Sequence, residues 1–205
     1  KPESKMNFVA TAQVYGGTFQ NFAVRKDEER NIEWRKVIHS ADMNEWESLI
    51  DENTRFLYGE MPSNPGQAFF DLEEVAKIAD KYNLPLIIDS TVATPALMRP
   101  LAWGADIVVQ SVSKTLTTSG LGIAGAVIAR KNLRTNIDNP MMKADFGMYI
   151  KALPNRDIGP NISPFNAAMT LADLKTLRSK IDLMSRSSMK VALFLEAHPH
   201  VERVD

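Results

Sequence analysis

Three short apolar runs, RFLYGE (55–60), LPLIIDS (84–90) and DIVVQS (106–111), are separated by DLEEVAKIADKYN (71–83) and TPALMRPLAWG (94–104). The first separator is an amphipathic helix by its spacing: Leu72, Val75, Ile78 and Ala79 fall on one face. Asp71, with Glu74 three residues on, has the form of a capping box at its start. The second separator is a helical piece broken by prolines. Strand, helix and strand in that order restrict the chain to an α/β protein with a mostly parallel sheet sandwiched by helices. LPLIIDS and DIVVQS read as strands covered on both faces, and IAGAVIA (123–129) as a further buried strand.

The last part follows a different period. From Ser163 and Pro164 to Pro199, Leu171, Leu174, Leu177, Ile181 and Met184 recur at spacings of three and four. Ser then Pro starts a helix well and Pro199 stops one. At 1.5 Å per residue the pattern predicts one helix about 50 Å long, which links domains or bends near SRSSM (185–189). The expected division is a partial large domain over 1–162, then an interdomain helix and the start of a smaller domain over 163–205. The chain reads as a fragment of a longer protein.

Composition narrows the partners. An apolar fraction of 44% and a charged fraction of 24% are those of a soluble globular protein. A net charge of −1 supplies no basic field, so no nucleic acid is expected. No apolar run nears the roughly 18 residues of a membrane span, and the N-terminal KPESKMNF lacks a signal-peptide core. The absence of cysteine removes disulfides, thiolate metal sites and a cysteine nucleophile. His39, His198 and His200 are scattered, and EAHPHVE reads as a solvated helix end, so no metal is expected.

In open parallel sheets, ligands bind at the carboxyl ends of the strands. Glu60 ends the first run, Asp89 the second, and Ser111 to Lys114 follow the third. Asp89 is costly to bury unless donors or a cation meet it. It reads either as a cap for the following helix or as the acid partner of a protonated ring nitrogen or metal. Lys114, among the hydroxyls of QSVSKTLTTSG, fits a phosphate clamp, a covalent catalyst or a surface lysine. A P-loop is excluded because its glycines would precede the lysine. GLGIAG (120–125) has the spacing of a dinucleotide fingerprint but leads into the β-branched AVIA, so it reads as a turn before a strand. A nicotinamide-dependent oxidoreductase would rest on that segment alone. Tyr15 in VYGGTFQNF reads as a core residue or as a ring projected from a turn onto a flat ligand. EMPSNPGQAF (60–69) is a strand-to-helix loop suited to polar contacts.

YGGTF, EMPSNP, LIIDSTVATP and GADIVVQSVSK, in this order and at these separations, resemble the Cys/Met-metabolism group of pyridoxal-phosphate enzymes. That group includes cystathionine γ-synthase, cystathionine lyases, O-acetylhomoserine sulfhydrylase and methionine γ-lyase. SPFNAAMTLADLKTLRSKI is similar to the family's interdomain helix, so the resemblance spans essentially the whole chain. It implies the fold type I transferase architecture, with residues 1–162 as part of the cofactor-binding large domain, and pyridoxal 5'-phosphate as cofactor. It implies a small amino acid as substrate, and a cytoplasmic homo-oligomer, dimer or tetramer, with shared active sites.

Residue by residue, the resemblance makes Lys114 the covalent anchor of the cofactor's aldehyde and later a base. Asp89 becomes the partner of the pyridine nitrogen, and Ser111 and Ser113 become phosphate contacts. Tyr15 is the ring stacked on the pyridine, with a part in proton movement. Asn64 lies near the phenolic oxygen, and Glu60 supports that loop. The favoured reaction is γ-replacement on an activated homoserine, the alternative a γ- or β-lyase. TLTTSG (115–120) departs from the family, which often has an aromatic and paired glycines there. The family's N-terminal tyrosine and arginine, phosphate-holding glycine turn and C-terminal carboxylate-binding arginine have no counterpart in the sequence.

Overall fold

A computed structural model describes residues 5–204; the first four residues of the polar N-terminal stretch, and Asp205, lie outside the described residues. A six-stranded sheet runs in the order β2-β1-β3-β4-β5-β6. The strands are β1 (Asn7–Thr11), β2 (Glu33–Val37), β3 (Thr54–Glu60), β4 (Leu86–Asp89), β5 (Ile107–Ser111) and β6 (Gly125–Ala129). Strands β1 to β5 are parallel, and β6 returns antiparallel on β5. The helices are α1 (Gly16–Phe19), α2 (Met43–Ser48), α3 (Leu72–Lys81), α4 (Thr94–Leu97), α5 (Pro140–Ala144), α6 (Phe146–Ala152), α7 (Pro154–Ile158), α8 (Pro164–Leu174) and α9 (Leu177–Glu196). A π-helical run, Gln20–Glu28, follows α1.

Each face of the sheet has its own core. On one face Val9, Leu57, Leu86 and Ile88 meet Val75, Ile78 and Ala79 of α3 and the fully buried Trp46 of α2. On the other face Phe8, Ala10 and Tyr58 meet Phe22 and Trp34. Period-two alternation sends neighbours along a strand to opposite faces, so Leu57 and Tyr58 serve different cores. Asp71 caps the start of α3, its Oδ1 accepting from the Glu74 amide at 3.1 Å, while the Glu74 carboxylate pairs with Lys77 instead of completing a capping box.

At the end of the sheet away from the carboxyl edge, Asp106 is fully buried. It accepts from the Leu86 amide at 2.8 Å and from Arg134 Nη2 at 2.6 Å. Arg134 also donates to the carbonyls of Ala76 and Gly104, tying α3 and the chain before β5 to one guanidinium.

Two expectations are corrected. IAGAVIA is not a buried strand: β6 closes one edge of the sheet, and Val127 and Ile128 are 49% and 43% exposed. Its connection from β5 carries no crossover helix, so the chain returns antiparallel. The single helix over 164–199 is two helices, parted at Lys175–Thr176 rather than near SRSSM. There the amides of Lys175 and Thr176 bond carbonyls three residues back, and the Thr176 hydroxyl also donates to the Asp173 carbonyl. That tightens the last turn of α8 and ends it. Of the predicted stripe, Leu177 and Ile181 are buried, against Val112 and Leu116; Leu171, Leu174 and Met184 are exposed. No helix among the described residues is long and apolar enough to cross a membrane.

Candidate active site at the carboxyl ends of the strands

Register brings the site together. Glu60 of β3 lies directly opposite Asp89 of β4, and Asp89 opposite Val109 of β5. Parity then sets Glu60, Asp89 and Ser111 on one face at one end of three adjacent strands, roughly 4.8 Å from strand to strand. Lys114 follows in a wide-turned helical segment, Val112–Leu116, that leaves helical geometry at Lys114 itself (φ −96°, ψ −126°). A cavity of about 240 Å³ opens there, lined by Tyr15, Glu60, Pro62, Asn64, Asp89, Thr91, Val92, Ser111, Lys114 and Thr115.

Tyr15 reaches the cavity from the turn after β1. Both oxygens of Glu60 accept from its amide, at 2.9 and 2.8 Å, and the Thr18 hydroxyl donates to Glu60 at 2.9 Å. Its ring is half exposed, with Lys114 Nζ 6.0 Å from the ring centroid. The glycine after next keeps that ring free: a Cβ on Gly17 would lie 3.2 Å from Tyr15 Cε1. Tyr15 is thus a ring on a turn and not part of the core.

Burial raises the Glu60 carboxyl above its usual range; the Tyr15 amide and Thr18 hydroxyl pull it back, and the charge of Asp89 adds to the rise. Tyr58, beneath on the same face, is raised well above its usual value by burial, then by Asp89 and Glu60. Asp89 does not cap the following helix, since α4 starts after Ala93 with no side-chain cap bond. One oxygen accepts from the Thr91 amide at 2.8 Å, a short Asx turn. The other meets no donor among the described residues.

The structure therefore gathers Tyr15, Glu60, Asn64, Asp89, Ser111 and Lys114 around one cavity. Ser113 is not among its lining residues. Its hydroxyl accepts from the Ala124 amide at 2.9 Å and donates to the Ala124 carbonyl, clipping the lysine segment to the approach of β6. GLGIAG opens β6 and not a helix. Thr91 and Thr115 line the cavity too, and sequence reasoning passed over both. The Thr91 hydroxyl accepts from the Ser111 amide at 2.8 Å, and its carbonyl accepts from Thr115 Oγ1 at 2.9 Å. The order Asp89-Ser90-Thr91 carries the Asx-turn signal that locates Thr91. Among the described residues no group of His, Asp or Glu could hold a metal ion.

The donor set fits a flat, anionic aldehyde. Lys114 offers an amine, Tyr15 a ring face, Asp89 an acceptor for a protonated ring nitrogen, and Ser111 a hydroxyl for phosphate. A family model described as Cys/Met metabolism PLP-dependent enzyme matches residues 3–205. The O-acetyl-L-homoserine sulfhydrylase of Corynebacterium glutamicum is 30% identical over 221 residues, covering 97% of this chain and 50% of that protein. The L-methionine γ-lyase of Porphyromonas gingivalis is 34% identical over 200 residues, covering 97% of this chain and 46% of that protein. A candidate O-acetylhomoserine (thiol)-lyase from Campylobacter jejuni, solved with N'-pyridoxyl-lysine-5'-monophosphate, has a TM-score of 0.84 at 33% identity. That match covers 94% of this chain and 52% of the other. The chain spans about half the length of the relatives it matches.

Proposed function

Since the chain belongs to the Cys/Met-metabolism family of pyridoxal-phosphate enzymes, we propose that the whole protein acts on a sulfur amino acid or an activated homoserine. Residues 1–162 supply part of the cofactor-binding large domain, and 163–205 the interdomain helices and the start of the small one. The reading rests on one observation: Glu60, Asp89 and Ser111 share one face at the carboxyl ends of three adjacent strands, and Tyr15 and Lys114 complete the cavity over them.

Pyridoxal phosphate supplies an electron sink for negative charge at the substrate carbons. The chain's residues bind it and move protons. Asp89 would keep the ring nitrogen protonated by accepting a hydrogen bond from its N–H. Tyr15, docked by Glu60, covers the ring, and its phenol is at hand for proton movement. Ser111 would hold the phosphate, and Thr91 fixes the Ser111 amide and the Thr115 hydroxyl on the β4 side. Asn64, which lines the cavity, would hold the cofactor's phenolic oxygen. Lys114 would hold the aldehyde end of the cofactor, and its free amine would take the substrate Cα proton and pass protons to neighbouring carbons. Ser113, its hydroxyl engaged by Ala124, is left out of the phosphate set.

The reaction is γ-replacement on an O-acylhomoserine, carried out by a cytoplasmic homo-oligomer, dimer or tetramer. SPFNA at the start of α8 and the C. glutamicum sulfhydrylase support this choice. A γ-lyase is the second reading, favoured by the P. gingivalis relative. The whole protein, given O-acetylhomoserine with sulfide, cystathionine, or methionine, should turn over the first fastest. Faster release of keto acid from methionine or cystathionine would replace the proposal with the lyase reading.

A further inference from the structure

We propose that Asp173, in the last turn of α8, is a positioning residue that holds the far end of the Lys114 segment and thereby aims the lysine at the cavity. The proposal rests on the functional reading above. The segment after Lys114 is TLTTSG, and the resemblance gives its threonines no part. The structure gives them one. Asp173, 7% exposed, accepts from the Ser119 hydroxyl at 2.6 Å, the Ser119 amide at 3.2 Å and the Thr118 hydroxyl at 3.2 Å. Those bonds, the Ser119 hydroxyl first, hold its carboxyl below the usual carboxylate range. Lys180, in the first turn of α9, donates to the same Thr118 hydroxyl at 2.6 Å and stands 3.8 Å from Asp173.

Lys114 needs such an anchor because its own backbone departs from the helical path. No continuous helix ladder fixes the direction of its side chain, so the fastenings on either side must. Upstream, Ser111 is tied to Thr91 and Ser113 to Ala124. Downstream, Thr115 is tied to Thr91, and the Thr117 hydroxyl donates to the Val112 carbonyl at 2.8 Å. Asp173 closes the series from a different layer of the fold. The underside of the segment rests on that layer as well, Val112 and Leu116 packing on Leu177 and Ile181 of α9. The parting at Lys175–Thr176 is what lets both grips reach: α8 presents Asp173, and α9 starts afresh with Leu177 and Lys180.

The test uses the whole protein and three variants, Asp173→Ala, Asp173→Asn and Ser119→Ala. Amide hydrogen exchange is followed in the apoprotein, and the visible band of lysine-linked cofactor after adding pyridoxal phosphate. Losing a charge-assisted bond should speed exchange about tenfold, and the faster exchange should extend from Ser119 back to Lys114. Uptake at Lys114 should slow about tenfold in Asp173→Ala and Ser119→Ala. Asp173→Asn, which keeps an acceptor oxygen, should recover most of the rate. Faster exchange confined to Ser119 and Gly120, or uptake unchanged in both alanine variants, overturns the proposal. A wild-type protein that takes up no pyridoxal phosphate sinks the functional reading alone, since the exchange pattern still decides the positioning.

Discussion

Glu60 spends its hydrogen-bonding capacity on Tyr15 and Thr18 rather than on the cavity, yet it is buried beside a second carboxylate. Its folded pKa is raised above the ordinary value of 4.5. A raised carboxyl stabilises the fold fully below its unfolded pKa, and that contribution is lost as pH rises through the folded value. Glu60→Gln removes this titration and keeps an acceptor for Tyr15. Thermal midpoints of both proteins between about pH 4 and pH 8 should therefore shift in the variant's favour as pH rises. A shift in favour of the wild type would mean that the bonds to Tyr15 and Thr18 outweigh burial. At this scale the Asp89–Lys114 pair was legible because both residues follow apolar strands. Thr91 and Thr115 were not, since their roles depend on a turn and on contacts between strands.

Among the elements, the strands at the middle of the sheet were the readable ones. β3, β4 and β5 carry apolar runs, and α3 has both its stripe and its cap. β1 escaped notice: its NFVAT is buried throughout, but the run is short and opens on Asn7, which is satisfied by distant Asp51 and Thr54. β6 misled because β-branched residues also suit an exposed edge. The α8–α9 parting was hidden because apolar spacing continues through Lys175–Thr176 while the hydrogen bonds change there. The Asp106–Arg134 pair is a matter of element assembly, remote from the carboxyl ends. Arg134→Ala leaves a buried carboxylate with its main cation gone and should cost about 3–5 kcal/mol by chemical denaturation. A loss below about 1 kcal/mol, the range of an exposed pair, would show that Arg130 compensates.

For the molecule as a whole, a parallel sheet offers one edge where carboxylates, hydroxyls and a lysine from separate strands can meet, and this chain fills it with Glu60, Asp89, Ser111 and Lys114. The two-helix layer then grips the lysine segment from behind. The proposed role of Lys114 as the cofactor's anchor is tested where the label attaches. The whole protein should be loaded with pyridoxal phosphate, reduced with borohydride and mapped by peptide mass. A pyridoxyl group is expected on Lys114 in the wild type and none in Lys114→Ala. A reduced protein without the label, or with the label on another lysine, would contradict it.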